Sequence, residues 1–296
     1  MELTICANPY LSSLDDTLAA TYKSARSQLS TAAQSTFVTS QRSWLRFTGM
    51  YCFVDTQAAA VTSQQATECL VSAYQSRIKD LKDTGKLIGS FKTFTVIDNH
   101  IRIDNAQETT YVIERKYSQI DDSSQFGRKL NAYLGFSDKP ELRDNRGTEI
   151  YDTQLSQISP DWLYKQTHIE MFTGAYPTSH TECGIYSISK DRPLKIGDLF
   201  QSKEWSSIMQ RAVQQHFEQL AKIEKEFDPS LVYGFESIHQ PASNPFSFCL
   251  TAKGIELNGF LPHVIRNFDG VTVNWTLIEN VLTPYAKEQV KQLSGL

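Results

Sequence analysis

The sequence predicts an α+β protein, and three patterns in it carry that prediction. Residues 1–84 hold three stretches in which apolar side chains return at helical spacing. Beyond Gly85 the pattern changes to short runs rich in Val, Ile, Thr, Tyr and Phe, divided by turn residues. The later helical signals stand apart from those runs, the ordering expected when helices segregate from an antiparallel sheet. At 296 residues the chain is long enough for two domains. The Gly- and Lys-bearing stretch Thr84–Ser90 reads as a linker. The expectation is therefore a three-helix, disulfide-bearing domain over 1–84 and an α+β domain with an antiparallel sheet over 91–296.

The first helix is expected over 13–29, where Leu14, Leu18, Tyr22, Ala25 and Leu29 share a face. Ser13 offers an N-cap, and Asp15 and Asp16 fall in the first turn, where the helix dipole favours acids. A second helix over 33–50 carries Phe37, Gln41, Trp44 and Leu45, and a third over 64–82 carries Ala66, Leu70, Ala73, Tyr74, Ile78 and Leu81. The short link between the first two makes them antiparallel. Trp44, Tyr74 and Arg77 are expected in the core, with Arg42 or Arg46 pairing with Asp15. Next, Phe91–Ile97 and His100–Asp104 read as a hairpin about Asp98 and Asn99, Thr110–Tyr117 as a strand, 122–134 as a helix and 137–150 as polar loop. Strands over 164–172 and 184–188 flank a Gly/Pro/Ser loop. A helix over 204–226, strands near 246–251, 254–260 and 270–275, and a helix from 276 complete the reading.

Charge and cysteine content narrow the function. The net charge is -4, from 29 Lys+Arg against 33 Asp+Glu, with no basic stripe. Nucleic acid is not an expected partner, because binding to phosphates needs clustered Lys and Arg. A mildly acidic surface suits a cationic partner. No apolar run approaches the ~20 residues of a membrane span, and Met1–Cys6 lacks the basic and apolar regions of a signal peptide. Of the cysteines, Cys6 lies before the first helix, Cys52 after the second and Cys69 near the start of the third, which brings all three to one end of the helical hairpin. A disulfide is expected among them, and with it an oxidising compartment. Three is odd, so one partner is missing or one thiol is unpaired. Cys249 reads as a buried thiol.

No catalytic signature appears. His180 and Cys183 lack the third, orienting group that a Cys–His pair needs, and His168, Glu170 and His180 do not form HExxH. No metal, cofactor or catalytic residue is expected.

Ile5-Cys6, Leu14-Asp15 with Tyr22, Gln41-Arg42 with Trp44-Leu45, Cys52, and Cys69-Leu70 with Tyr74, Arg77, Ile78 and Leu81 keep an order and spacing that resembles the N-terminal domain of the LprI-type lysozyme inhibitor family. Members are typically exported and carry one more cysteine just upstream, which implies a signal peptide removed from before the present start. Residues 91–290 resemble the extracellular domain of RsiV-type anti-sigma factors. That match runs through the loop Thr173–Pro177, where Tyr176 replaces the usual His, the motif Leu194–Phe200, and the segments from Leu250 to Val273. The two resemblances imply a periplasmic or cell-envelope protein that binds a lysozyme-type peptidoglycan hydrolase. Immunity against a secreted peptidoglycan-degrading toxin, or binding of peptidoglycan itself, are the alternatives.

Two loops could present contacts to such a partner. Lysozyme-type sites hold paired carboxylates in a cleft. Tyr176, Thr178, Ser179 and His180 follow Gly174 in a segment able to form a protruding turn, and could hydrogen-bond those carboxylates. His263, Arg266 and Asn267 precede the Asp269-Gly270 turn signal and form the second candidate. The bland alternatives are a tight strand connection and a solvated hairpin.

Overall fold

In the computed structural model the described residues are 1–53, 63–104, 109–137, 140–142, 146–172, 176–224, 248–257 and 270–294. They form two compact units, one of Met1–Leu155 with His168–Ser179 and one of Ser156–Thr167 with His180–Leu296. The fold class is α+β, as the sequence predicts.

The first unit opens with α1 (Glu2–Ala7), α2 (Pro9–Ser27), α3 (Thr31–Tyr51) and α4 (Ser63–Lys82). The second of these begins at Pro9 and not near Ser13. The Asn8 side chain accepts the N–H groups of Tyr10 and Leu11 at 3.0 and 3.1 Å, and Pro9 sets φ in the first turn. The residues before this cap make a separate helical turn that carries Cys6. Phe37, Leu11, Leu70, Tyr74 and Leu81 are buried in one apolar cluster together with Phe94, Val96 and Ile97 of the following sheet. Phe37 stacks on Tyr22 at 5.3 Å and meets Phe94 edge-on at 6.2 Å. Ser40 on α3 accepts the backbone N–H of Ile97 at 2.7 Å, and Asp121 accepts the N–H of Ser30 at 2.8 Å. The helical segment thus shares a core and hydrogen bonds with strand residues.

The sheet comprises β1 (Leu87–Ile88), β2 (Phe91–Ile97), β3 (His100–Asp104), β4 (Thr109–Ile120), β5 (Gly147–Gln157), β6 (Trp162–Phe172), β7 (Thr178–Ser187) and β8 (Arg192–Pro193). Its order is β1-β2-β4-β5-β6-β7-β8, with β3 on β4. The stretch around Gly85 and Gly89, both at positive φ, turns β1 back onto β2.

Two expectations are corrected here. β2 and β3 do not form a hairpin; each pairs antiparallel with β4, β2 along Lys116–Ile120 and β3 along Thr109–Ile113. Asp98 and Asn99 interrupt one edge without reversing it. The Asp98 N–H still donates to Arg115 O at 2.9 Å, and the Asn99 side chain accepts the Arg115 N–H at 3.0 Å, so the ladder is bridged and not ended. The segment read as polar loop also ends earlier than expected. β5 starts at Gly147 and runs parallel to β4 from Tyr111↔Gly147 to Tyr117↔Thr153. The helix α5 (Gln125–Leu134) lies in the crossover between them, as a parallel pair requires. A Cβ at Gly147 would lie 2.6 Å from the Tyr111 ring, so only glycine allows this entry.

The second unit contains α6 (Ile196–Leu199), α7 (Glu204–Ile223), β9 (Phe248–Leu250), β10 (Gly254–Leu257), β11 (Val271–Asn274), α8 (Trp275–Ile278) and α9 (Pro284–Ser294). β10 sits between β9 and β11 in an antiparallel three-stranded sheet. α7 buries Trp205, Met209, Val213 and Phe217, one residue per turn, against Ile185, Ile255, Val273 and Ile278. Cys183 and Cys249 meet in this core as a disulfide with a Cα separation of 5.1 Å. The reading of Cys249 as a buried thiol is therefore wrong. Its partner lies 66 residues away, and only the packing of this unit brings the two together.

Candidate functional site

The end of β6, the start of β7 and Tyr176 between them carry the first group of sequence-predicted contact residues. On β6, His168, Glu170 and Phe172 point outward while Ile169 turns inward, the period-two alternation of a strand with one solvated face. Phe172 is 43% exposed and Tyr176 is 77% exposed, so both leave large aromatic surfaces in water. The hydroxyl of Thr178 donates to Met171 O at 3.4 Å. Ser179 and His180 are exposed on β7. His168 Nε2 lies 3.0 Å from Glu170, and His180 Nε2 lies 3.8 Å from Glu182, each an ion pair when the imidazole is protonated. The second group, His263, Arg266 and Asn267, lies outside the described residues.

The cysteines behave differently from one another. Cys52, the residue after α3, bonds to Cys69 on α4 with a Cα separation of 5.5 Å. Cys6 is exposed and unpaired among the described residues. One disulfide thus forms among the three N-terminal cysteines and one thiol is left over, as the odd number implies.

The helical residues singled out from the sequence are structural. Trp44 is buried and meets Tyr74 edge-on at 5.4 Å. Tyr74, not an arginine, partners Asp15, donating to its carboxylate at 3.0 Å. Burial and the Asp15 charge hold the Tyr74 phenol well above its ordinary pKa. Arg42 and Arg46 are exposed. Arg77 is 1% exposed, and its Nε donates to the buried Gln41 side chain at 2.9 Å. Burial lowers its pKa to about 10, against the opposing pull of Asp80. Its two terminal nitrogens have no hydrogen-bond partner among the described residues.

Arg77 also lines a cleft that the sequence reading missed. It has a volume of about 380 Å³ and is lined from α3, α4, β4 and β5. Trp44, Phe47 and Tyr51 form an aromatic wall, with Phe47 and Tyr51 stacked at 5.3 Å. Lys116 Nζ pairs with Asp152 at 2.8 Å and lies 3.9 Å from Asp80. Burial raises the pKa of Asp80, offset by Lys116 and Arg77, and burial likewise raises Glu114. One signal was available in the sequence. Cys69, Ala73, Ser76, Arg77 and Asp80 recur at helical spacing and so share a side of α4. The contributions of Glu114, Lys116 and Asp152 depend on strand pairing and left no such trace.

No described helix is long and apolar enough to cross a membrane. No curated protein sequence matches the chain. Among solved structures, the chain is similar in fold to a DUF3298 family protein from Bacteroides fragilis NCTC 9343, with a TM-score of 0.51 and 14% identity over 71% of this chain and 100% of that one. A DUF3298 family protein from Pseudomonas aeruginosa PAO1 gives a TM-score of 0.46 and 10% identity over 68% of this chain and 98% of that one. The first of these likenesses spans more of the chain than the helical segment holds, consistent with a further domain after it. Residues 1–81 match the family model described as lysozyme inhibitor LprI, the family that the N-terminal residue pattern resembles.

Proposed function

We propose that this protein binds and inhibits a lysozyme-type peptidoglycan hydrolase in the bacterial envelope. The observation that carries this reading is the match of residues 1–81 to a lysozyme inhibitor family. Two disulfides support an oxidising compartment such as the periplasm. The β6–β7 hairpin is the contact segment in this reading. A turn bearing Tyr176 and flanked by Phe172 offers rigid aromatic area at low entropic cost, the composition that dominates binding hot spots. The tip enters the hydrolase cleft, and the hydroxyl and imidazole groups of Thr178, Ser179 and His180 hydrogen-bond its carboxylates. His263, Arg266 and Asn267 supply a second contact.

The test is a turbidity assay on cell-wall suspension with a panel of lysozymes of different structural types. Stoichiometric inhibition of one type is the expected result. Tyr176→Ala then weakens inhibition by about tenfold or more, the loss of an interface anchor worth over about 1 kcal/mol, with an unchanged melting temperature because the side chain is exposed. No inhibition and no complex on gel filtration with any type removes the lysozyme reading and directs the search to a dedicated toxin.

A further inference from the structure

We propose that the cleft between the α3–α4 helices and the β4–β5 strands of the first unit is a saccharide-binding pocket, taking a neutral pyranose sugar against the Tyr51 ring. Its volume of about 380 Å³ falls within the ~300–1,000 Å³ range of small-molecule sites. Three features of its wall select the ligand class.

The first is charge. Arg77 and Lys116 face Asp80, Glu114 and Asp152, so the wall alternates in sign and sums to a single negative charge. Lys116 is already held by Asp152, and Arg77 is offset by Asp80. An anionic ligand meets the net negative charge of the wall, and a multiply cationic one meets Arg77 and Lys116. A neutral ligand meets neither penalty.

The second is hydrogen-bonding capacity. Ser72 and Ser76 line the cleft, and a serine hydroxyl can both donate and accept. Glu114 and Asp80 add acceptors and Lys116 adds donors. A sugar hydroxyl both donates and accepts, so a polyhydroxylated ring can answer both kinds of group at once.

The third is the stacked Phe47–Tyr51 pair, in which Tyr51 is 43% exposed. An exposed aromatic face beside planar polar groups suits the apolar C–H face of a pyranose. The Cys52–Cys69 disulfide also lines the cleft and fixes Tyr51 at the end of α3 relative to α4. The pocket is thereby preorganised.

This proposal stands apart from hydrolase inhibition, since it concerns a different surface and is tested without any hydrolase. Isothermal titration of the full chain with N,N′-diacetylchitobiose and with cellobiose is expected to give saturable one-site binding of at least one of them. Glu114→Gln and Tyr51→Ala each weaken that binding by about tenfold, one ligand contact apiece, while circular dichroism shows both variants folded. Purified sacculi distinguish the source of the sugar: co-sedimentation abolished by the same variants assigns the site to the glycan strand, and binding of free disaccharide alone assigns it to soluble sugar. Absence of binding to either disaccharide and to sacculi overturns the proposal. So does saturable binding of phosphate or alanyl-alanine in place of sugar, or sugar binding unchanged in both variants. None of these outcomes bears on the turbidity assay.

Discussion

Asp198 holds the Leu194–Phe200 motif together through one carboxylate. It accepts both terminal nitrogens of Arg192, at 2.7 and 2.8 Å, and the N–H of Lys195 at 2.7 Å. The last contact reaches back over the first turn of α6, as acids at this position do. Its neighbours Leu199 and Phe200 are buried, with Phe200 stacked on Trp205 at 4.9 Å. The motif is a structural clasp. The Arg192 hydrogen bonds outweigh the desolvation of Asp198 and lower its pKa to about 2. A carboxyl depressed in the folded state stabilises the fold above its unfolded pKa of about 3.9, and that contribution is lost as pH falls toward 2. Asp198→Asn is therefore expected to cost about 1–3 kcal/mol in urea denaturation at neutral pH, and to flatten the loss of stability between about pH 4 and pH 2. An unchanged acid profile would contradict this assignment.

The elements are tied by two cross-links that do different work. Cys52–Cys69 closes 17 residues between α3 and α4, and Cys183–Cys249 closes 66 residues between β7 and β9. On loop-closure grounds they contribute about 3 and about 4 kcal/mol. Cys183→Ala with Cys249→Ala should accordingly lower stability more than Cys52→Ala with Cys69→Ala, measured by guanidinium denaturation. Thiol titration of oxidised, unfolded protein should find one free thiol, and Cys6→Ser should remove it. Two or more thiols in material from an oxidising compartment would break the assignment. The helical contacts are more local. Phe37 joins α3 to α2 through Tyr22 and to β2 through Phe94, so these helices depend on the strand beside them.

At the scale of the whole molecule, charge sets how partners approach. The chain carries a net charge of -4. Attraction between a mildly acidic protein and a cationic hydrolase accelerates encounter more than it strengthens the final complex. The association rate with an inhibited lysozyme, followed by stopped flow, should fall as salt rises toward 1 M, where the Debye length is about 3 Å, while the dissociation rate changes little. A rate insensitive to salt would show that contact chemistry alone governs binding.

Helical spacing, turn residues and element order determined the fold class, and spacing determined the helices α2, α3, α4 and α7 and the core roles of Trp44 and Tyr74, because one-sided burial writes itself into spacing. Spacing also brought Cys52 and Cys69 to the same end of two helices, since their positions follow from helix length and direction. Tertiary structure decided whatever depends on pairing between distant segments. β2 and β3 lie along β4 because Asn99 bridges the ladder, a choice that Asp-Asn in sequence does not distinguish from a turn. Cys183 found Cys249 only through the packing of the second unit. The cleft draws Arg77 from a helix, Glu114 and Lys116 from one strand and Asp152 from the parallel strand beside it. No local pattern encodes that meeting, because parallel strands pair through a crossover and their register is set by the packed whole.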